Sequence, residues 1–301
     1  MNLLKKTPIL AGIALWGLLV VGSVFANESQ GSILIRVAAY NVEFGKNATP
    51  EEIGKMFKPY NFDIIGFNEV PDGDWTARVG KVVGMKHIYV GKISSANHRD
   101  KYKSILSRTP LQRAVEHDLT VQRKRSWNPA SVVQAITQID GVPISFYSLH
   151  ICRSTDNHKT GHAYRLANEV LPKDKTDRVI VLGDFNDGPG LDEYEKLFGR
   201  SGVEIVLGED HALRMFDPHA RIALGQRIGA MPSTSRFKLR EGPYLQALLD
   251  YIMVSPRLRD LGPDWQIWHP FDHPDCYGDL PLREALLTAS DHFPVVMKLP
   301  V

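Results

Sequence analysis

The chain has 301 residues, with 36 lysines and arginines against 34 aspartates and glutamates for a formal charge of +2, and 43% of it is hydrophobic. That length is enough to bury one substantial core. The near balance of charge argues against a tight, non-catalytic nucleic-acid binder but leaves a nuclease open. Cys152 and Cys276 are the only cysteines, too few for a thiolate metal cluster and enough for one disulfide if the protein is exported.

Residues 1–26 read as a separate unit: Lys5 and Lys6, an apolar stretch from Ile9 to Val21, then Val24-Phe25-Ala26 with small residues at both recognition positions. This is the pattern of a cleavable secretory signal. The apolar stretch is shorter than the ~20 residues that a membrane anchor needs. Its removal takes away two lysines and no acids, which brings the formal charge to zero. A periplasmic or secreted protein is expected, with residues 27–301 as one domain, no stable membrane span after cleavage and no protein partner.

Ile33 to Ala39 predicts a strand, and Thr49-Pro50-Glu51-Glu52 opens a helix with an N-cap, a proline at its first position and a capping-box glutamate. Short apolar strands are expected at Asp63 to Asn68 and Tyr102 to Arg108. Ser131 to Ile139 alternates like a half-buried strand, and after the Asp140-Gly141 turn Pro143 to Ile151 returns to form a hairpin. Asn157 to Leu171 has helical apolar spacing. Val179 to Gly183 is a buried strand that delivers Asp184 and Asn186 on one side of its end. A short helix over 191–198, strands over 248–254 and 294–299, and a long loop region over 212–242 complete the pattern, which is mixed α/β.

Polar residues recur where apolar runs stop: Asn41, Glu69, His150, Asp184 with Asn186, Asp250, and Asp291 with His292. Buried carboxylates need a cation, a hydrogen bond or water, so converging strand ends would make one site. The set offers oxygen ligands, two imidazoles and amide donors, which suits a hard cation such as Mg2+ or Mn2+ with positions open for phosphate. Taken singly, each residue has a plain structural reading. Asp184 with Asn186 could be an Asx turn, Glu69 a solvated strand end, Asn41 a turn amide, His150 a core histidine and Asp250 a capping carboxylate. Arg123-Lys124-Arg125 near Trp127 reads as a solvated strand approach rather than a nucleic-acid patch. His158 and His162 read as exposed helix-start histidines, because no third metal ligand is evident.

Six segments, in order, resemble the endonuclease/exonuclease/phosphatase superfamily. They are Ala39-Tyr40-Asn41-Val42-Glu43, Asp63-Ile64-Ile65-Gly66-Phe67-Asn68-Glu69, Tyr147-Ser148-Leu149-His150, Gly183-Asp184-Phe185-Asn186, Leu249-Asp250-Tyr251-Ile252 and Ser290-Asp291-His292-Phe293-Pro294-Val295. The resemblance implies a four-layer α/β/β/α sandwich of two packed mixed sheets flanked by helices, and a metal-dependent phosphoester hydrolase that attacks phosphorus with water. It implies that Glu69 binds the metal with Asn41 beside it and Asp291 as a further direct or water-mediated ligand, and that His292 pairs with Asp250. Asp184 and the His292–Asp250 pair would contact the attacking water and scissile phosphate, while Asn186 and His150 donate to phosphate oxygens. A phosphodiester in nucleic acid is the first substrate expected. A sphingomyelinase-like activity, a phosphatase acting on a small phosphorylated metabolite, and a catalytically silent binding module are the alternatives. One departure stands out: Ser104 lies where the deoxyribonuclease branch would place a carboxylate partner for the first histidine.

Overall fold

The structure is a computed structural model that describes residues 33–71, 73–95, 101–123, 126–151, 158–186, 202–208, 215–218, 235–238, 244–270, 276 and 278–301. The expected signal segment, the 191–198 helix, Lys124, Arg125 and Cys152, and with Cys152 the disulfide, lie outside these residues.

In chain order, β1 (Leu34–Asn41) is followed by α1 (Pro50–Phe57), β2 (Ile64–Val70), α2 (Gly73–Val83), β3 (His87–Val90), β4 (Tyr102–Ser107) and β5 (Leu111–Asp118). A small hairpin, β6 (Val121–Arg123) and β7 (Ser126–Asn128), precedes the long hairpin of β8 (Ser131–Ile139) and β9 (Val142–His150). Then come α3 (His158–Arg165), β10 (Val179–Asp184), α4 (Gly202–Leu207), the hairpin of β11 (Ser235–Lys238) and β12 (Tyr244–Ala247), and β13 (Asp250–Val254). The chain finishes with α5 (Pro256–Arg259), β14 (Asp264–Ile267), α6 (Leu280–Thr288) and β15 (Val295–Pro300).

Local chemistry accounts for several boundaries. At α1 the Thr49 hydroxyl accepts the Glu52 amide at 3.3 Å, while the Glu52 carboxylate accepts the Thr49 amide at 2.8 Å. These reciprocal bonds satisfy backbone donors left over at a helix start. Between β8 and β9, Asp140 and Gly141 take φ of 51° and 81°, the left-handed pair that a two-residue hairpin turn requires.

Two sheets carry the fold. The larger has the order β14-β15-β1-β2-β4-β3, the smaller β13-β10-β9-β8-β5. Because strand side chains alternate, β1 sends Ile35, Val37 and Ala39 into a core between the sheets, with Phe146, Leu182 and Ile252 from the second sheet. Its other face sends Ala38 and Tyr40 toward Ile53, Phe57, Val79 and Leu286 of the helices α1, α2 and α6. On the far side, Tyr147, Leu149, Val179 and Val181 pack against Ala163 of α3 and Val203 and Val206 of α4. The layers are therefore helices, sheet, sheet and helices, the α/β/β/α sandwich.

Three expectations change. Strand β8 is buried on both faces rather than half-buried, because Val132 meets the outer core and Val133 the inner one. The 212–242 stretch is not wholly loop: Phe216 bridges Val254 at the edge of the smaller sheet, and β11 pairs with β12. His162 is fully buried in α3 rather than exposed, while the His158 side chain is not among those described.

Strand direction sets the working end of the molecule. β1 and β2 are parallel, as are β9 and β10, so Asn41, Glu69, His150 and Asp184 all lie toward carboxyl ends. β13 runs antiparallel to β10 and β15 antiparallel to β1, so these strands contribute their beginnings to the same edge. Asp250 therefore opens a strand rather than following one, and Asp291 and His292 lead into β15.

Candidate active site

Asp184 is the hub of the cluster. It is fully buried at the end of β10 and pairs in register with Asp250 on β13 and His150 on β9. Asn41 donates its side-chain amide to Asp184 Oδ2 at 2.9 Å, and that nitrogen lies 3.5 Å from His292 Nε2. His150 Nε2 lies 3.5 Å from the same Asp184 oxygen and 3.4 Å from Glu69 Oε1. On the other side, Asp250 Oδ2 meets His292 Nδ1 at 2.7 Å, and His292 Nε2 faces Asp184 Oδ2 at 3.9 Å. Asp291 lies at the margin, its Oδ1 3.8 Å from His292 Nε2.

Asn186 is brought to Asp184 by a turn and not by strand alternation. Gly183 has φ of 130° and Asn186 φ of 46°, and the Asn186 amide donates to Asp184 Oδ1 at 2.6 Å. This is the Asx turn of the plain reading, and it also does chemical work. It aims the Asn186 side-chain amide at His150 Nε2, 2.9 Å away, and at the Ile151 carbonyl, 2.9 Å away. The same nitrogen donates to the Ile151 carbonyl and to Asp184, so His150 Nε2 is its acceptor and the neutral imidazole carries its proton on Nδ1.

Backbone geometry departs from the ordinary at two further places. Glu69 has φ of 54°, and the β2–β4 register shifts between Asn68 and Val70, a bulge that re-aims the carboxylate inward. After Asn41, the residues Glu43, Phe44 and Gly45 form a left-handed turn with φ of 45°, 61° and 61°. A non-glycine residue held there costs about 1–3 kcal/mol, and such strain concentrates at functional sites.

The electrostatics follow from burial. Removal from water, then the neighbouring Asp250 charge, push Asp184 up to about 8, against the opposing pull of His292. Burial works against the His292 imidazolium, yet Asp250 and then Asp184 outweigh it and raise His292 well above the usual histidine range. Burial also raises Asp291.

Ligand atoms of Glu69, His150 and Asp184 lie within 4.8 Å of one another, and those of Asp184, Asp250 and His292 form a second such group. The first offers two carboxylate oxygens and an imidazole nitrogen. A buried carboxylate as crowded as Asp184 ionises near neutrality only if positive charge is supplied. Glu69, the expected metal ligand, therefore fits a divalent cation together with His150 and Asp184, which the resemblance places at the phosphate, while the expected ligands Asn41 and Asp291 stand beside Asp184 and at the margin.

The structure brings Asn41, Glu69, His150, Asp184, Asn186, Asp250 and His292 together and leaves Asp291 at their edge. Ser104 turns away, its hydroxyl 2.8 Å from Thr76 of α2, and among the described residues Glu69 and Asp184 are the carboxylates beside His150. Sequence reasoning missed Asn68 and Lys101. Asn68 Oδ1 accepts the Asp184 amide at 3.0 Å and so ties one sheet to the other. A polar amide inside an otherwise apolar strand was the available signal. Lys101 sits 2.9 Å from Glu69 Oε1 and carries no comparable signal.

A sandwich whose strand ends converge on buried acids and imidazoles defines a phosphoester-hydrolase class. The endonuclease/exonuclease/phosphatase family model matches residues 38–292, and the chain belongs to that family. Among solved structures, an endonuclease/exonuclease/phosphatase from Beutenbergia cavernae matches with a TM-score of 0.62 at 16% identity, covering 89% of this chain and 72% of that one. TDP2 from Caenorhabditis elegans matches with a TM-score of 0.59 at 16% identity, over 89% and 76% of the two chains. A mannosyl-6-phosphatase from Bacteroides thetaiotaomicron matches with a TM-score of 0.55 at 17% identity, over 89% and 100%. At these identities the likeness is one of fold. None of the curated proteins matches this chain. Among the described residues, no helix is long and apolar enough to cross a membrane.

Proposed function

We propose that the protein is a Mg2+- or Mn2+-dependent phosphodiesterase that cleaves nucleic acid by direct attack of water on phosphorus. The observation that carries this reading is the sharing of Asp184 by two buried groups, Glu69–His150–Asp184 and Asp184–Asp250–His292. A divalent cation held by Glu69, His150 and Asp184 would neutralise phosphate charge and polarise the ester.

The remaining steps belong to the side chains. Asp250 holds the Nδ1 proton of His292 and leaves Nε2 to take a proton from the attacking water. Neutralisation of Asp184 removes one of the charges that raise His292, which brings the imidazole closer to the neutral form that a base needs. Asn41 and Asn186, whose side-chain amides bond to Asp184 and His150 in the structure, would donate to phosphate oxygens once substrate enters. A diester is placed first because the His150 segment resembles the deoxyribonuclease and sphingomyelinase branches, whose substrates are diesters. Residues 1–26 support export, with the mature protein periplasmic or secreted.

One panel tests the reading: plasmid DNA, RNA, sphingomyelin, inositol phosphates and a sugar phosphate, each with Mg2+ and with chelator. Cleavage of DNA or RNA that stops with chelator, and is abolished by Asp184→Ala and by His292→Ala, is the expected result. Wild-type rates in both variants would overturn the assigned roles, and turnover of a monoester alone would overturn the substrate. The amino terminus of the exported protein, read by mass spectrometry, tests the signal.

A further inference from the structure

Lys101, the residue before β4, places Nζ 2.9 Å from Glu69 Oε1 and 4.4 Å from the centroid of the Phe44 ring. The same Glu69 oxygen lies 3.4 Å from His150 Nε2, in the group that would hold a cation. An ammonium and a divalent ion repel strongly at such separations, so they compete for that oxygen. Both side chains are largely withdrawn from water, at 16% and 9% exposure, which keeps a displaced ammonium close to the centre. The face of Phe44 is already within reach of it, at a distance suited to a cation–π contact. That ring is presented by the left-handed turn through Glu43, Phe44 and Gly45, whose two non-glycine residues the backbone tolerates only under strain.

We propose that Lys101, seated on Phe44, is a phosphate-binding cation that competes with the metal for Glu69 and turns to a non-bridging oxygen of the phosphoester once the metal is in place. This rests on the reading of Glu69 as a metal ligand. It has a thermodynamic consequence. The metal frees Lys101 for phosphate, and phosphate draws Lys101 away from Glu69, so each tightens the binding of the other by the same factor. Substrate and metal are thereby coupled through one side chain.

The test is Mn2+ binding to the full chain, followed by electron paramagnetic resonance of the free ion, with and without inorganic phosphate. Lys101→Met is expected to bind Mn2+ about tenfold more tightly without phosphate, within the usual range of coupling between sites. The tightening that phosphate produces should shrink by a similar factor. Lys101→Arg should keep the coupling, and Phe44→Leu should weaken it while leaving the Lys101–Glu69 contact intact. Lys101→Gln provides a second uncharged variant, with circular dichroism as the check on folding. Unchanged or weaker Mn2+ binding in both uncharged variants, or an undiminished effect of phosphate, overturns the proposal alone. A wild-type chain that binds no Mn2+ overturns the metal-dependent function with it.

Discussion

Asp250 Oδ2 and His292 Nδ1 stand 2.7 Å apart, although Asp250 opens a strand of one sheet and His292 leads into a strand of the other. The contact orients the imidazole and selects its tautomer. Asp250→Asn keeps the shape and removes the charge, so the ring loses both its fixed proton and its raised proton affinity. Turnover should fall by about a hundred- to ten-thousandfold, the range for loss of general base catalysis. Steady-state kinetics with matched circular dichroism will show a loss in kcat greater than any change in KM.

Acid–base behaviour should mark the cluster in the absence of metal. Asp184 is raised from an ordinary carboxylate value to about 8, and His292 is raised as well. A raised folded-state value means that the folded protein holds the proton more tightly than the unfolded chain. The associated stability is present at low pH and lost as pH rises through the folded-state values. With chelator, the melting temperature should therefore fall between about pH 4 and about pH 8, and saturating Mg2+ should reduce or reverse that fall. Asp184→Asn should flatten the metal-free slope. A metal-free profile that rises over this window would contradict the assignment.

Asn68 is expected to matter for stability before it matters for chemistry. Asn68→Ala leaves the buried Asp184 amide without the side-chain acceptor it has at 3.0 Å. The cost should be about 1–3 kcal/mol, that of an unsatisfied buried donor, measured by urea unfolding. Activity should decline too, because the same bond positions the backbone of Asp184.

The capping box of α1 supplies the contrast. Thr49→Ala removes one half of the reciprocal bond with Glu52 and should lower stability by about 1 kcal/mol. Thr49 caps the start of a flanking helix and bonds to none of the clustered acids or imidazoles, so kcat should stay at the wild-type value.

The parts of the molecule governed by neighbouring residues were legible in the sequence. Thr49-Pro50-Glu51-Glu52 announces a helix, Asp140-Gly141 a hairpin, and the apolar run before Asp184 a buried strand. The two-sheet architecture and the gathering of the site were legible only through the ordered motifs, because parallel pairing of β1 with β2 and of β9 with β10 joins distant segments. What stayed hidden has a non-local origin as well. Nothing near Asn68 indicates that its partner is the amide of Asp184, 116 residues away. The left-handed φ of Glu69 is set by pairing with β4 and not by its own side chain. The burial of His162 depends on how α3 packs against the second sheet.

The bond from Asn68 to the Asp184 amide has a consequence for assembly. Neither layer of strands owns a complete set of reacting groups: Glu69, Asn41 and His292 arrive with one, His150, Asp184 and Asp250 with the other. A slip of one residue between the layers moves the groups about 3.3 Å apart, enough to undo every contact between the layers at once. Half-built intermediates are therefore inert, and a newly made chain gains its hydrolytic capacity only when the two layers dock in alignment.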